Sequence, residues 1–249
     1  MDYVLITGAT SGIGLSLARV FARKGYGLVL LSSDMQHLRR ARKSLKKRFD
    51  NVDIILICED LSNDGSADRI YNQVKAIGID IEILVNNAGV GTAGCFVDID
   101  NEADSRMIEV NVVALTNLCR VFMKDMYKKG HGSVLNVAST GAFQPGPYVA
   151  SYFASKSYVY NFSRAIRVEA ARHGVNVSVL CPGTTRTGFF KKSGIKMPPL
   201  AMSPGRVAEC AVDGMEKNKA VIVPGKLNRF LRTIPSAIKL HGVAILKRK

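Results

Sequence analysis

The sequence predicts an α/β fold, a doubly wound parallel sheet of about seven strands with helices on both faces. Three observations point to it. Short apolar runs rich in Val, Ile and Leu alternate with amphipathic stretches of helical period from residue 3 to about 225, and such alternation calls for right-handed crossovers between parallel strands. The first run opens directly into a glycine-rich turn, Gly8-Ala9-Thr10-Ser11-Gly12-Ile13-Gly14, and then a helix. Asp60, Asn87, Ala88, Gly89 and Ser139 lie just beyond apolar runs, on the strand-end edge where such sheets gather ligands.

Tyr3–Thr7 reads as a buried strand. The helix after the glycine turn, about 13–24, puts Ile13, Leu17, Val20 and Phe21 on one face and stops before Gly25, a suitable residue just past a helix end. Glycine lets the backbone take positive φ and approach a pyrophosphate, and the free N–H groups of a helix start favour that anion. A tight strand–helix turn that binds nothing has the same glycines, so context must decide. Residues 28–31 form a second strand, 35–49 a strongly basic helix with Leu38, Ala41 and Leu45 inward, and 52–57 a third strand leading to Glu59-Asp60. A helix fits 65–77. A fourth strand, 83–85, runs into Asn86-Asn87-Ala88-Gly89.

One long amphipathic helix over 102–129 turns Met107, Val110, Ala114 and Leu118 inward, with Asn111, a poor helix former, in its middle. A fifth strand at 133–137, a helix at 151–172, a sixth strand at Val175–Leu180 and a short seventh at 220–223 follow. Between the last two, 182–203 is rich in Gly, Pro and Lys, holds Phe189 and Phe190, and reads as a mobile loop over a site.

A chain of 249 residues, 47% hydrophobic, buries one sizeable core, so the expected organisation is one catalytic domain over 1–225 and a basic amphipathic extension over 226–249. The net charge of +15 is concentrated: residues 35–48 hold seven Lys/Arg and 217–249 hold nine, with no acid in either, leaving the remainder near neutral. Neither segment interleaves aromatics or shows a nucleic-acid-binding pattern, so no nucleic-acid partner is expected. The five cysteines form no Cys-x-x-Cys pair and the four histidines share no ligand spacing, which supports reduced thiols and no metal. No secretory leader or membrane-spanning run is legible, so a cytoplasmic protein is expected.

Thr7-Gly8-x3-Gly12-Ile13-Gly14, Asn86-Asn87-Ala88-Gly89, Asn111, Ser139, Tyr152-x3-Lys156 and Pro182-Gly183 appear in that order. With them the chain resembles the short-chain dehydrogenase/reductase family, from residue 3 to about 225. Tyr71 and Lys75 repeat the Tyr-x3-Lys spacing, but Cys58 stands thirteen residues before Tyr71, where Tyr152 has Ser139 at a strand end. The resemblance implies a Rossmann-like fold and a nicotinamide-dependent oxidoreductase that interconverts a ketone and a secondary alcohol. Its catalytic residues are Asn111, Ser139, Tyr152 and Lys156. The resemblance assigns to the cofactor Gly8, Thr10, Ser11, Gly12, Ile13 and Gly14, then Ser32, Ser33, Asp60, Leu61, Asn87, Ala88 and Gly89, then Tyr152, Lys156, Pro182, Gly183, Thr184 and Thr187.

Residues four apart share a helix face, so the Lys156 ammonium can approach the Tyr152 phenol. Bringing a phenol from about 10 toward 7 takes roughly 4 kcal/mol, about what one cation at ~4 Å supplies at an effective dielectric near 20. Lysine alone is thus enough in principle, and an oxidised nicotinamide would add to it. Tyr152 then donates a proton to a carbonyl in reduction and acts as base in oxidation, while the Ser139 hydroxyl holds the substrate oxygen. By resemblance, Asn111 helps hold a water that relays protons through Lys156.

Cofactor choice is read at the end of the second strand, where a carboxylate would bind the ribose of NAD. Ser32-Ser33 stands there, followed by Arg39, Arg40 and five further cations, which suits a 2′-phosphate. Asp34, and the lack of Arg or Lys in the glycine turn or at 33, argue the other way. NADP(H) is favoured over NAD(H). Ser139, Phe143, Gln144, Phe189 and Phe190, with Pro145 and Pro147, suggest an apolar substrate pocket for a ketone on a lipid-like or steroid-like skeleton. A non-catalytic dinucleotide sensor is the alternative, although none of the catalytic side chains is missing. Relatives pair through the helices at 102–129 and 151–172, which implies a homodimer or homotetramer.

After Gly225, Leu227, Phe230, Leu231 and Ile234 recur at helical spacing among Lys226, Arg229 and Arg232; Pro235 breaks the run, and the chain ends in Lys247-Arg248-Lys249. Two readings stand for 226–249. The apolar face packs on the protein's own fold, or it gives weak, salt-sensitive contact with an anionic membrane.

Overall fold

The computed structural model describes residues 1–188, 201–234 and 239–240. β1 (Tyr3–Thr7), β2 (Gly27–Ser32), β3 (Ile54–Cys58), β4 (Ile81–Asn86), β5 (Gly132–Val137), β6 (Val175–Leu180) and β7 (Val221–Ile222) form a single sheet. All are parallel, in the order β3-β2-β1-β4-β5-β6-β7. The winding reverses between β1 and β4, so the strand ends there open a crevice.

The strands are short and β-branched, and successive side chains point to opposite faces. On one face Leu5, Val29, Leu84 and Val177 meet Ile70, Phe122, Met126 and Val159, from α3 (Ser66–Ala76), α5 (Leu115–Lys129) and α6 (Ala150–Ala171). On the other, Val4, Ile6, Leu28 and Leu30 meet Leu17, Phe21, Leu38, Leu45 and Ala211, from α1 (Gly12–Arg23), α2 (Met35–Lys46) and α7 (Pro204–Glu216). Phe21, Leu17, Leu28 and Leu38 are wholly buried, each stabilising the fold by about 1.5–3 kcal/mol of apolar transfer. A buried polar thread crosses the first layer: Asn86 Nδ2 donates to Asn136 Oδ1 at 2.9 Å, and Asn136 Nδ2 to Ser163 Oγ at 2.9 Å.

Two features differ from the sequence reading. The helix expected over 102–129 is three segments: α4 (Asn101–Ile108), a π-helical turn at Glu109–Ala114, and α5. Asn111 lies inside that turn. Residues 204–216, with no element assigned in the sequence, form α7, begun by Ser203, whose side chain accepts from Arg206 N, and by Pro204 in its first turn. The loop expected over 182–203 is described only at its ends, joined where Thr185 pairs with Met202; Phe189 and Phe190 lie outside the described residues, as does Pro235. The tail opens with α8 (Lys226–Thr233). Among the described residues, no helix is long and apolar enough to cross a membrane.

Candidate active site

Gly8 and Gly12 take φ of +63° and +54°, conformations that cost an L side chain about 1 kcal/mol or more. Gly14 is required by contact: a Cβ there would stand 2.3 Å from the Gly8 carbonyl oxygen and 2.5 Å from Asn87 Nδ2. The segment that follows β4 holds this turn in place. Asn87 Nδ2 donates to the Thr7 and Gly8 carbonyls at 2.9 and 3.2 Å, while Thr7 Oγ1 accepts the Asn87 and Ala88 amides at 3.0 and 2.9 Å. Ser11 begins α1 without a side-chain cap, so the first amides of α1 are not closed off by their own cap.

Ser139 closes β5, and its Oγ accepts the Gly141 amide at 3.1 Å. The Tyr152 phenol shares the cavity wall with this hydroxyl, which lowers the phenol's pKa. One turn along α6, Lys156 is 4% exposed; its Nζ donates to the Val137 carbonyl at 3.1 Å and lies 5.9 Å from the Tyr152 ring centroid. Asn111 is wholly buried. Its Oδ1 accepts the Val90 amide at 3.0 Å, and its Nδ2 donates to the Val90 carbonyl at 2.9 Å and to Ser155 Oγ at 3.1 Å. Both amide hydrogens are thus used on protein partners, and the side chain braces the loop after β4 against α6. A residue with this role, at a π-helical turn, departs from the regular helix expected there.

The electrostatics correct one expectation. Burial pushes the Tyr152 phenol up to about 12, against the lowering pull of the Ser139 hydrogen bond. Burial also pushes Lys156 down to about 8, with Cys181 pulling it back up. Lys156 alone therefore does not bring the phenol toward 7. The ammonium is engaged by Val137, and losing water costs the phenolate more than this cation returns.

At the other end of the cleft, Asp60 Oδ1 accepts the Ser62 amide and hydroxyl at 2.9 and 2.7 Å, and Oδ2 accepts Arg106 at 2.6 Å. Burial would raise this carboxyl, but the Ser62 bonds and the Arg106 guanidinium outweigh it and hold it below its usual range. Asp34 is used elsewhere. It caps α2 by accepting the His37 amide at 2.9 Å, and it lies 2.8 Å from His37 Nδ1.

One cavity of ≈ 580 Å³ is lined by Gly8, Thr10, Ser11, Gly12, Ile13, Ser32, Ser33, Asp60, Leu61, Asn87, Ala88, Gly89, Ser139, Gln144, Tyr152, Lys156, Pro182, Gly183, Thr184 and Thr187. Gly14 and Asn111 support it from behind. Phe143 is a correction: it is not on the cavity wall but packs edge-on against Tyr160 at 5.2 Å and under the Arg232 guanidinium at 5.2 Å. Val90, Val149 and Phe153 line the cavity instead, and so does Arg106. Arg106 was not legible because its pairing with Asp60, 46 residues away in sequence, places it there, not any local pattern. A second cavity of ≈ 590 Å³, beside Arg19, Arg23 and Arg186, contains none of the catalytic candidates. Among the described residues no group of three or more His, Cys, Asp or Glu is placed to hold a metal ion.

Residues 2–197 match the family model for short chain dehydrogenases. The chain belongs to the short-chain dehydrogenase/reductase family. A Mycobacterium tuberculosis protein named probable oxidoreductase EphD is 28% identical over 261 residues, covering 97% of this chain; the chain spans 42% of that relative's length. Estradiol 17-beta-dehydrogenase 11 of Rattus norvegicus is 33% identical over 256 residues, covering 100% of this chain and 83% of the relative. Among solved structures, a short-chain dehydrogenase from Sphingobium yanoikuyae in complex with NADPH superposes with a TM-score of 0.85 at 28% identity, over 95% of this chain and 98% of that one.

Proposed function

We propose that this short-chain dehydrogenase/reductase interconverts a ketone and a secondary alcohol with NADP(H). The observation that carries the reading is that Ser139, Tyr152 and the buried Lys156, one turn on from Tyr152, line the same cavity as the glycine turn. The residues fit a dinucleotide. Gly8 and Gly12 of the turn line the cavity, and Ser32 and Ser33 offer hydroxyls where an acid would exclude a 2′-phosphate. Asp34, engaged in capping α2, does not line the cavity, and the NADPH complex of the Sphingobium relative supports the same choice. Bound there, the nicotinamide supplies or takes up the hydride.

The chain's own groups handle the proton. With its phenol pushed up to about 12, Tyr152 is protonated at neutral pH and ready to donate to a carbonyl oxygen. Ser139 orients that oxygen by hydrogen bonding. Lys156, brought to about 8, exchanges protons near neutral pH and restores the phenol, with a relay water near Asn111 as part of the proposal. Val90, Val149 and Phe153 favour a bulky apolar ketone, consistent with the name of the rat relative. Val113, Tyr158 and Val168 on the outer sides of the π turn and α6 are 40%, 39% and 67% exposed, and pairing of two copies through that side is part of the same reading.

Tyr152→Phe tests it. Ketone reduction should fall by about 10²–10⁴-fold, with NADPH binding retained in calorimetric titration. A variant that keeps most of the wild-type rate would refute the assignment. Tighter binding of NADH than NADPH, reversed by Asp34→Ser, would hand the cofactor to NAD(H).

A further inference from the structure

The helix α8 is oriented opposite to the usual arrangement of an amphipathic helix on a domain. Two of its polar residues, Asn228 and Arg232, reach back to the fold. Asn228 Nδ2 donates to the Pro224 carbonyl at 2.8 Å, and its side chain lies against Gly183, where a Cβ would stand 2.4 Å from Nδ2. Arg232 donates to Tyr160 Oη at 3.1 Å, and its guanidinium lies 5.2 and 5.9 Å from the Phe143 and Tyr160 rings. Leu227 and Phe230 are left outward, 60% and 65% exposed. Lys226 and Arg229 are exposed beside them, since residues three and four apart are neighbours on a helix.

We infer that the outward face of α8 seats the protein on an anionic lipid bilayer. Charge complementarity selects this occupant. After Gly225 the chain carries seven Lys/Arg and no acid, so a second copy brought face to face would set like charges together. A bilayer containing anionic lipid receives the Leu227–Phe230 ridge among its acyl chains and Lys226 and Arg229 among its headgroups. Because Arg232, Asn228, Phe143, Tyr160 and Gly183 tie α8 to the domain, the ridge is held outward by the fold. This inference is independent of which carbonyl compound the enzyme uses.

The test is co-sedimentation of the full chain with vesicles of phosphatidylcholine alone and of phosphatidylcholine with ~30% phosphatidylserine, at low and high salt. Binding should favour the anionic vesicles and weaken with salt. Each cation near the surface contributes about fivefold, so Lys226→Gln with Arg229→Gln should lower partitioning by about 25-fold. Leu227→Ser with Phe230→Ser should lower it on its own, at unchanged melting temperature and NADPH binding. Equal partitioning to both vesicles, or no loss in both double variants, overturns the inference. So does a dimer in light scattering that Leu227→Ser with Phe230→Ser dissociates, because the ridge then belongs to a second copy.

Discussion

Gly89 approaches Lys156 so closely that a Cβ on the glycine would stand 3.1 Å from Nζ, and 3.2 Å from Asn111 Oδ1. The glycine that ends Asn86-Asn87-Ala88-Gly89 thus makes room for two of the candidate catalytic side chains. Nζ is the end of a flexible chain and gives way easily, so Gly89→Ala should cost about 1 kcal/mol or less in stability. Displacing Nζ should nonetheless lower turnover about tenfold or more. Thermal melts and steady-state rates on one preparation separate the two effects.

Gly14→Ala should behave differently. Its Cβ meets the Gly8 carbonyl, a backbone atom, at 2.3 Å, and overpacking of that kind costs about 1–3 kcal/mol. The turn itself must move. Dinucleotide affinity should fall by at least about tenfold in calorimetric titration, because the amides that face the anion move with it.

Lys156 has a stability signature with a definite sign. Its folded value, about 8, lies below the ordinary 10.5, so the folded state disfavours the ammonium by about 3 kcal/mol. That penalty is full below pH 8 and disappears as pH rises from 8 to 10.5, where the unfolded chain holds the extra proton. Lys156→Met should therefore stabilise the protein at pH 7 by about 2 kcal/mol, after about 1 kcal/mol is subtracted for the lost Val137 bond. The gain should fall to zero at pH ~9.8, where the remaining penalty equals the lost bond, and become a cost of about 1 kcal/mol above pH 10.5 in urea melts, with turnover lost throughout.

Asp104 is a positioning residue that no motif marks. Its carboxylate accepts Thr92 Oγ1 at 2.9 Å and Ser151 Oγ at 2.5 Å, tying the loop after β4 to the start of α6, one residue before Tyr152. Charge-assisted bonds of this kind contribute about 1.5–3 kcal/mol each. Asp104→Asn should lower stability by about 1–2 kcal/mol and reduce turnover more than NADPH affinity, which rates and titration together would show.

The strands, the glycine turn and the Tyr152/Lys156 pair were legible because each is set by spacing along the chain. A period of two or of 3.6 is a property of the backbone, and a residue four places on in a helix must share its face. Helix α7 carries its start signal in Ser203 and Pro204, yet the sequence reading assigns no element there. Asn111 was visible as an oddity, but the π-helical turn around it was not, because its amide bonds to Val90 and Ser155, residues distant in sequence.

By itself, then, the sequence determined the order of the seven strands, most of the helices between them, and the spacing that puts Tyr152 and Lys156 on one face of a helix. The tertiary structure alone decided how those groups behave. Burial sends the Tyr152 phenol up and the Lys156 ammonium down, Tyr160 and Arg232 draw Phe143 away from the cavity, and contacts with Gly183 and Tyr160 turn α8 so that Leu227 and Phe230 face outward. The physical reason is that hydrophobic periodicity is encoded locally. The dielectric around a proton and the direction a helix faces depend on which distant segments fold back against it.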